Sequence, residues 1–368
     1  MLLSYVVILC LVSALLLGLY AALLKELAPR HVAIRIPRPI LVGSGVASTI
    51  LVVLLCMRSL NFGVDTVAYA EIFTHYCSGG GLFDVEGSFQ AATLLLNTLM
   101  LGACRTSLLP AAWAIAIVLP VLVLPVPWRL KISYLAAFLL SIVGIELATN
   151  ALRQGLSVGF MLLSVSIITA KTGRRRWLAL PFALAALLFH SSAALFMAVY
   201  LLARLPWHLF LVTSLMSVFF IVNSLDTDFA LPIASNFIYE IQKYSAHEGD
   251  ELWIRVLAFA TVLASLAAPL LARNNTALRP ALWNGPYAIA VRLSLLCVPS
   301  LVLPYFGYRF IYGLYPIILF LTLSASMLPK ISPLGRPYAQ LLWLTGMNVM
   351  VLFAWAAGSS YMRSVPFL

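Results

Sequence analysis

Apolar runs of about 17–23 residues follow one another along nearly the whole chain, each long enough to cross a hydrocarbon layer of about 30 Å as a helix. This recurrence constrains the fold more than any other feature. Of 368 residues, 63% are hydrophobic and 10% are charged, and the mean hydropathy is +1.02. A soluble domain of this length cannot bury that much apolar surface, so lipid must serve as the solvent. Alternating strand patterns are missing, which argues against a membrane barrel. The first run, Leu2 to Leu24, has no basic segment before it and no small-residue cleavage site after it, and reads as a retained helix.

The formal net charge of +11 suggests nucleic acid at first sight. In a chain this apolar, basic residues instead mark cytoplasmic loops, so no nucleic-acid partner is expected. The basic clusters are Lys25/Arg30/Arg35/Arg38, Arg129/Lys131, Lys171/Arg174/Arg175/Arg176, Arg273/Arg279 and Lys330/Arg336. Placing all of them on one side leaves Glu26 as the only acid there; Asp65, Glu71, Asp84, Glu86, Asp226, Asp228, Glu240, Glu248, Asp250 and Glu251 sort to the other side, with Glu146 near it. The resulting fold class is all-α, a polytopic membrane protein of about twelve spans with both termini outside. It is one transmembrane domain over 1–368, with outer loops at about 58–106 and 223–250. Between Asp65 outside and Arg129 inside the number of crossings must be odd. The run Phe89 to Cys104, with Gln90, Thr93 and Asn97, is therefore expected to lie in the interface, and Leu108 to Leu124 to cross.

Cys10, Cys56, Cys77, Cys104 and Cys297 show no metal spacing and are expected to be reduced; Cys77 and Cys104 are the one pair that could meet on a single side. No nucleotide-binding glycine pattern occurs, and no cofactor is expected. Asp226-Thr-Asp228 is the only conceivable metal pair, and the expectation is that no metal is used.

Polar motifs gather where the map puts outer helix ends. They are Arg58 with Gly63-Val64-Asp65-Thr66-Val67-Ala68-Tyr69 and Phe73; Asn150-Ala-Leu-Arg153-Gln154-Gly155; Leu188-Phe189-His190-Ser191-Ser192; and Arg309 with Tyr312 and Pro316. In order and spacing, from about residue 55 to 325, they resemble the EpsG-type and Wzy-type polysaccharide polymerases. The resemblance implies a bacterial inner-membrane enzyme with a periplasmic active site. It would transfer a growing glycan from undecaprenyl pyrophosphate to a sugar hydroxyl of an incoming lipid-linked unit. It also implies a lipid-linked oligosaccharide and membrane lipids as partners, with a chain-length regulator as a protein partner.

Such a reaction needs cations for the departing pyrophosphate and a base for the acceptor hydroxyl. Arginine suits the first, because its planar fork binds phosphate oxygens in pairs and keeps its charge. Arg153, Arg309 and Arg58 are the candidates, against the plainer reading that arginines at helix ends anchor the interface. His190 is the first candidate base and Asp65 the second. Gln154, Tyr69, Glu146 and Tyr312 are supporting candidates. Two other activities fit the pattern less well: a glycosyltransferase using a polyprenyl-phosphate sugar with Asp65 as base, or an O-antigen ligase. A lipid-linked oligosaccharide flippase would be expected to show paired halves, and no internal repeat is visible.

Overall fold

The computed structural model describes residues 38–60, 64–80, 87–170, 173–225, 251–271, 285–302, 307–327 and 337–358. Among these the chain is all-helical, consistent with a helical membrane protein. The run at Leu2 to Leu24, most of the loop at 223–250 with Asp226 and Asp228, and the basic residues near 273–279 and 330–336 lie outside the described residues.

The helices are α1 (Arg38–Met57), α2 (Val64–Cys77), α3 (Gly87–Leu99), α4 (Leu109–Leu122), α5 (Trp128–Leu139), α6 (Ile142–Thr149), α7 (Leu152–Ala170), α8 (Leu180–Phe189), α9 (Ala193–Ala203), α10 (Trp207–Leu225), α11 (Glu251–Ala267), α12 (Pro286–Cys297), α13 (Pro299–Val302), α14 (Gly307–Met327) and α15 (Pro337–Gly358). The longest of them, α15, has 22 residues, or about 33 Å at 1.5 Å per residue. Helix α1 leaves Val42, Val46, Ile50, Leu54 and Met57 exposed along one stripe, a face that suits lipid and not water.

The chain groups into two compact units. The first holds α1 to α5, most of α6, and α7 and α8. Helix α7 is its buried centre, packed on α4, α3 and α8. Two glycines let α7 come close to its neighbours. A Cβ at Gly159 would stand 2.8 Å from Pro120 Cγ of α4, and one at Gly155 would collide with Ile117 of the same helix. Small residues four apart permit this kind of backbone approach between apolar helices. Helices α5 and α6 are each too short to cross a membrane alone, and they meet at 84°.

The outer loop read at 58–106 is largely helical. Helix α2 lies in the part read only as outer loop, and α3 corresponds to the run expected in the interface. One face of α2 buries Thr66, Tyr69 and Phe73, at spacings of three and four. That stripe is short, and the Gly and Ser around it hide it from a longer periodicity window. Helix α3 buries Ser88, Ala91, Ala92, Leu94 and Leu96 and packs against α4, α7 and α8. A disulfide joins Cys77, the last residue of α2, to Cys104, with Cα atoms 5.6 Å apart. The expectation of reduced thiols thus fails for this pair. The chain reaches that geometry because α3 ends in a left-handed turn, Leu101 (φ 55°) and Gly102 (φ 72°), that turns it back toward α2.

The second unit is centred on α14, whose residues Ile311 to Leu323 are almost all buried, with α11, α12 and α15 packed on it. Its buried Arg292 is structural. Its Nη1 donates to the Ala203 carbonyl at the end of α9 (3.0 Å) and its guanidinium lies 4.7 Å from the Trp207 ring.

Candidate active site

The first unit brings two of the sequence-picked arginines to the two ends of one aromatic ladder. Arg58 follows the last residue of α1. Its guanidinium carbon lies 4.7 Å from the Trp113 ring of α4. Trp113 meets Tyr69 of α2 edge-on at 5.0 Å, and Tyr69 meets Phe89 of α3 at 5.0 Å. Beyond Phe89 comes Arg153, its guanidinium carbon 3.6 Å from that ring. Stacking of this kind is worth about 0.5–2 kcal/mol per cation, more as water is excluded. Arg153 Nη1 also donates to Ser88 Oγ at 2.6 Å. The second residue of α7 is therefore clamped by the first turn of α3, and its charge is held in one orientation.

Arg58 is tied down differently. Its Nη1 donates to Thr66 Oγ1 (3.1 Å) and to the Thr149 carbonyl (3.2 Å), and Thr66 Oγ1 donates to the same carbonyl at 2.7 Å. Thr149 ends α6, where carbonyls lack helical partners. Arg58 thus ties together the end of α1, the start of α2 and the end of α6. Tyr69, a supporting candidate, is a buried rung of the ladder. Asp65 is the second residue of α2, one position before Thr66. Glu146 accepts from Asn150 Nδ2 at 2.6 Å. This fixes the turn between α6 and α7 from which Arg153 emerges. Gln154 is buried beside it.

His190 sits in the break between α8 and α9 with an extended backbone (φ −159°, ψ 124°). Its Nδ1 receives the Ser192 backbone N–H at 3.2 Å and lies 2.7 Å from Ser192 Oγ. An amide N–H can only donate, so Nδ1 is the acceptor, and the neutral ring carries its hydrogen on Nε2. Helix α8 packs on α7 and α3, the two helices that hold Arg153.

Arg309 and Tyr312 belong to the second unit. They stand one turn apart at the start of α14, Arg309 exposed and Tyr312 buried. Sequence reasoning missed Trp113, Ser88 and Phe89. Trp113 lies in a uniformly apolar run, where nothing local sets it apart, and Ser88-Phe89 opens α3 with no charge to draw notice.

A model of the EpsG family matches residues 45–354, which covers the ladder, the α7 start, the His190 turn and Arg309. The chain belongs to the EpsG family. No curated protein and no solved structure matches it. Membership in the EpsG family supports a polymerase-type role in polysaccharide synthesis and a place in a membrane.

Proposed function

We propose that this EpsG-family protein joins undecaprenyl-pyrophosphate-linked repeat units on the periplasmic face of the inner membrane. The bond from the growing glycan's anomeric carbon to the pyrophosphate oxygen breaks. A new bond forms from that carbon to the acceptor hydroxyl oxygen, whose proton passes to a base. Undecaprenyl pyrophosphate departs with the electron pair. The observation that carries the reading is Arg153, fixed between the Phe89 ring and the Ser88 hydroxyl at the mouth of α7. A cation held rigid before substrate arrives does not have to reorganise as charge grows on the leaving group. The Cys77–Cys104 bond supports the sidedness, since structural disulfides persist outside the cytoplasm.

In this scheme Arg153 holds the pyrophosphate, and Arg58 braces the ladder behind it. With its Nε2 hydrogen, His190 donates to a phosphate oxygen of the leaving group. Asp65 then takes the acceptor proton. The pyrophosphate-linked donor is already activated, so the scheme uses neither nucleotide nor metal.

The test is extension of purified lipid-linked repeat units by the protein in nanodiscs, followed by gel ladders. Arg153→Ala should abolish the ladder and leave single units on lipid. Arg153→Lys should also be poor, because a point charge reproduces neither the stacking nor the paired phosphate contact. A normal ladder from Arg153→Lys would leave Arg153 as an interface anchor and remove the central support of the reading.

A further inference from the structure

An open cleft lies on the face of α2 turned away from the ladder. Its volume is about 550 Å³, within the roughly 300–1,000 Å³ of small-ligand sites. Glu71, Thr74 and His75 of α2 and Ser78, the residue after it, line it at spacings of three and four, and Thr106 faces them from the short 3-10 helix Thr106–Leu108. The lining has two matched properties. Leu60 and Val67 supply an apolar edge, while the carboxylate, the imidazole and three hydroxyls supply hydrogen-bonding groups. Thr74 Oγ1 donates to the Ala70 carbonyl at 2.7 Å and Ser78 Oγ to the His75 carbonyl at 2.8 Å. Both hydroxyl oxygens can therefore accept from a ligand.

The walls are built to stay in place. The Cys77–Cys104 disulfide ties the end of α2 to the strand of chain that leads, two residues later, into Thr106. Two glycines shape the turn after α2. Gly79, at φ 87°, ends the helix in the left-handed conformation, and Gly80 leaves room for the His75 ring, which a Cβ there would strike.

We propose that this cleft is a saccharide-binding subsite for uncharged sugars of the lipid-linked glycan. The proposal rests on the polymerase reading for the source of the sugar. The chemistry selects that class of ligand. A carboxylate repels pyrophosphate and an anionic lipid headgroup. A lipid tail would strand the polar floor. Among the described residues no group of three metal-binding side chains occurs. A sugar ring offers hydroxyls to Glu71, His75 and the three hydroxyls, and a C–H face to Leu60 and Val67. Because Thr66, Tyr69 and Phe73 face the ladder, α2 is a wall common to the reacting end and to this subsite. The cleft would hold sugars farther along the glycan than the one that reacts.

The test uses full-length protein in nanodiscs and, as probe, the repeat-unit oligosaccharide freed from its lipid by mild acid. Saturation-transfer NMR reads its binding, and the extension assay reads KM and kcat for the lipid-linked unit. Glu71→Ala should weaken oligosaccharide binding about tenfold, the scale of a lost hydrogen bond to a charged group. Thr74→Trp, which fills an exposed cleft without touching the core, should abolish it. Both should raise KM with kcat held near wild type. Inorganic pyrophosphate should not compete with the probe. Binding and KM unchanged in both variants, or displacement of the probe by pyrophosphate, overturns the subsite. Failure of the wild type to extend any unit overturns the polymerase reading instead, and direct binding still decides the cleft.

Discussion

Replacing Cys77 and Cys104 together by serine removes a cross-link between residues 27 apart in sequence. Closing a loop of that size in the unfolded chain costs entropy worth about 3.5 kcal/mol at 25 °C, from the logarithmic dependence on loop length. The rest of the fold does not depend on the bond. Helix α3 keeps its packing on α4, α7 and α8, and Thr66, Tyr69 and Phe73 keep α2 seated. The loss should therefore appear as local opening of residues 64–104. Hydrogen exchange read by mass spectrometry, on protein in nanodiscs, should show faster exchange in peptides from α2 and α3 and little change in α7. Maleimide labelling of the denatured wild type should find two of its five cysteines blocked until reductant is added. Full labelling without reductant would show that the bond does not form in the cell, and the outer placement of 58–106 would lose its support. Unchanged exchange in the double variant, with the bond present in wild type, would refute the loop-entropy account.

Asp65→Asn should slow extension by roughly the 10²–10⁴ of a lost general base, measured as kcat in the nanodisc assay. His190→Gln, whose side-chain amide can still donate where Nε2–H stood, should keep more activity than His190→Ala; equal loss in both would return the base to His190. Gly159→Leu should lower thermal stability by about 1–3 kcal/mol, the usual cost of overpacking, because its Cβ meets Pro120 at 2.8 Å. Gly43→Leu, with nothing within 4 Å, should not, and equal melting of the two would refute the close approach of α4 and α7.

The sequence by itself determined the helical class and the helix ends. Apolar runs of this length and number read as helices in lipid, and polar groups gather at the breaks between them, so Arg153 and His190 stand out where α7 begins and α8 ends. The helix end expected at His190 falls in the break between α8, which ends at Phe189, and α9, which starts at Ala193. The reach of the motifs from Arg58 to Tyr312 falls within the EpsG match. What only the tertiary structure decided is which groups those ends meet. Ser88 lies 65 residues from Arg153, and Thr149 lies 91 from Arg58. No periodic pattern encodes such a pairing. It follows from how α3, α4 and α7 pack, and the packing turns on small residues, Gly155 at the end of the motif and Gly159 in the apolar run behind it. The disulfide belongs to the same class. Each cysteine is ordinary where it stands, and the left-handed turn at Leu101–Gly102 is what brings Cys104 to Cys77.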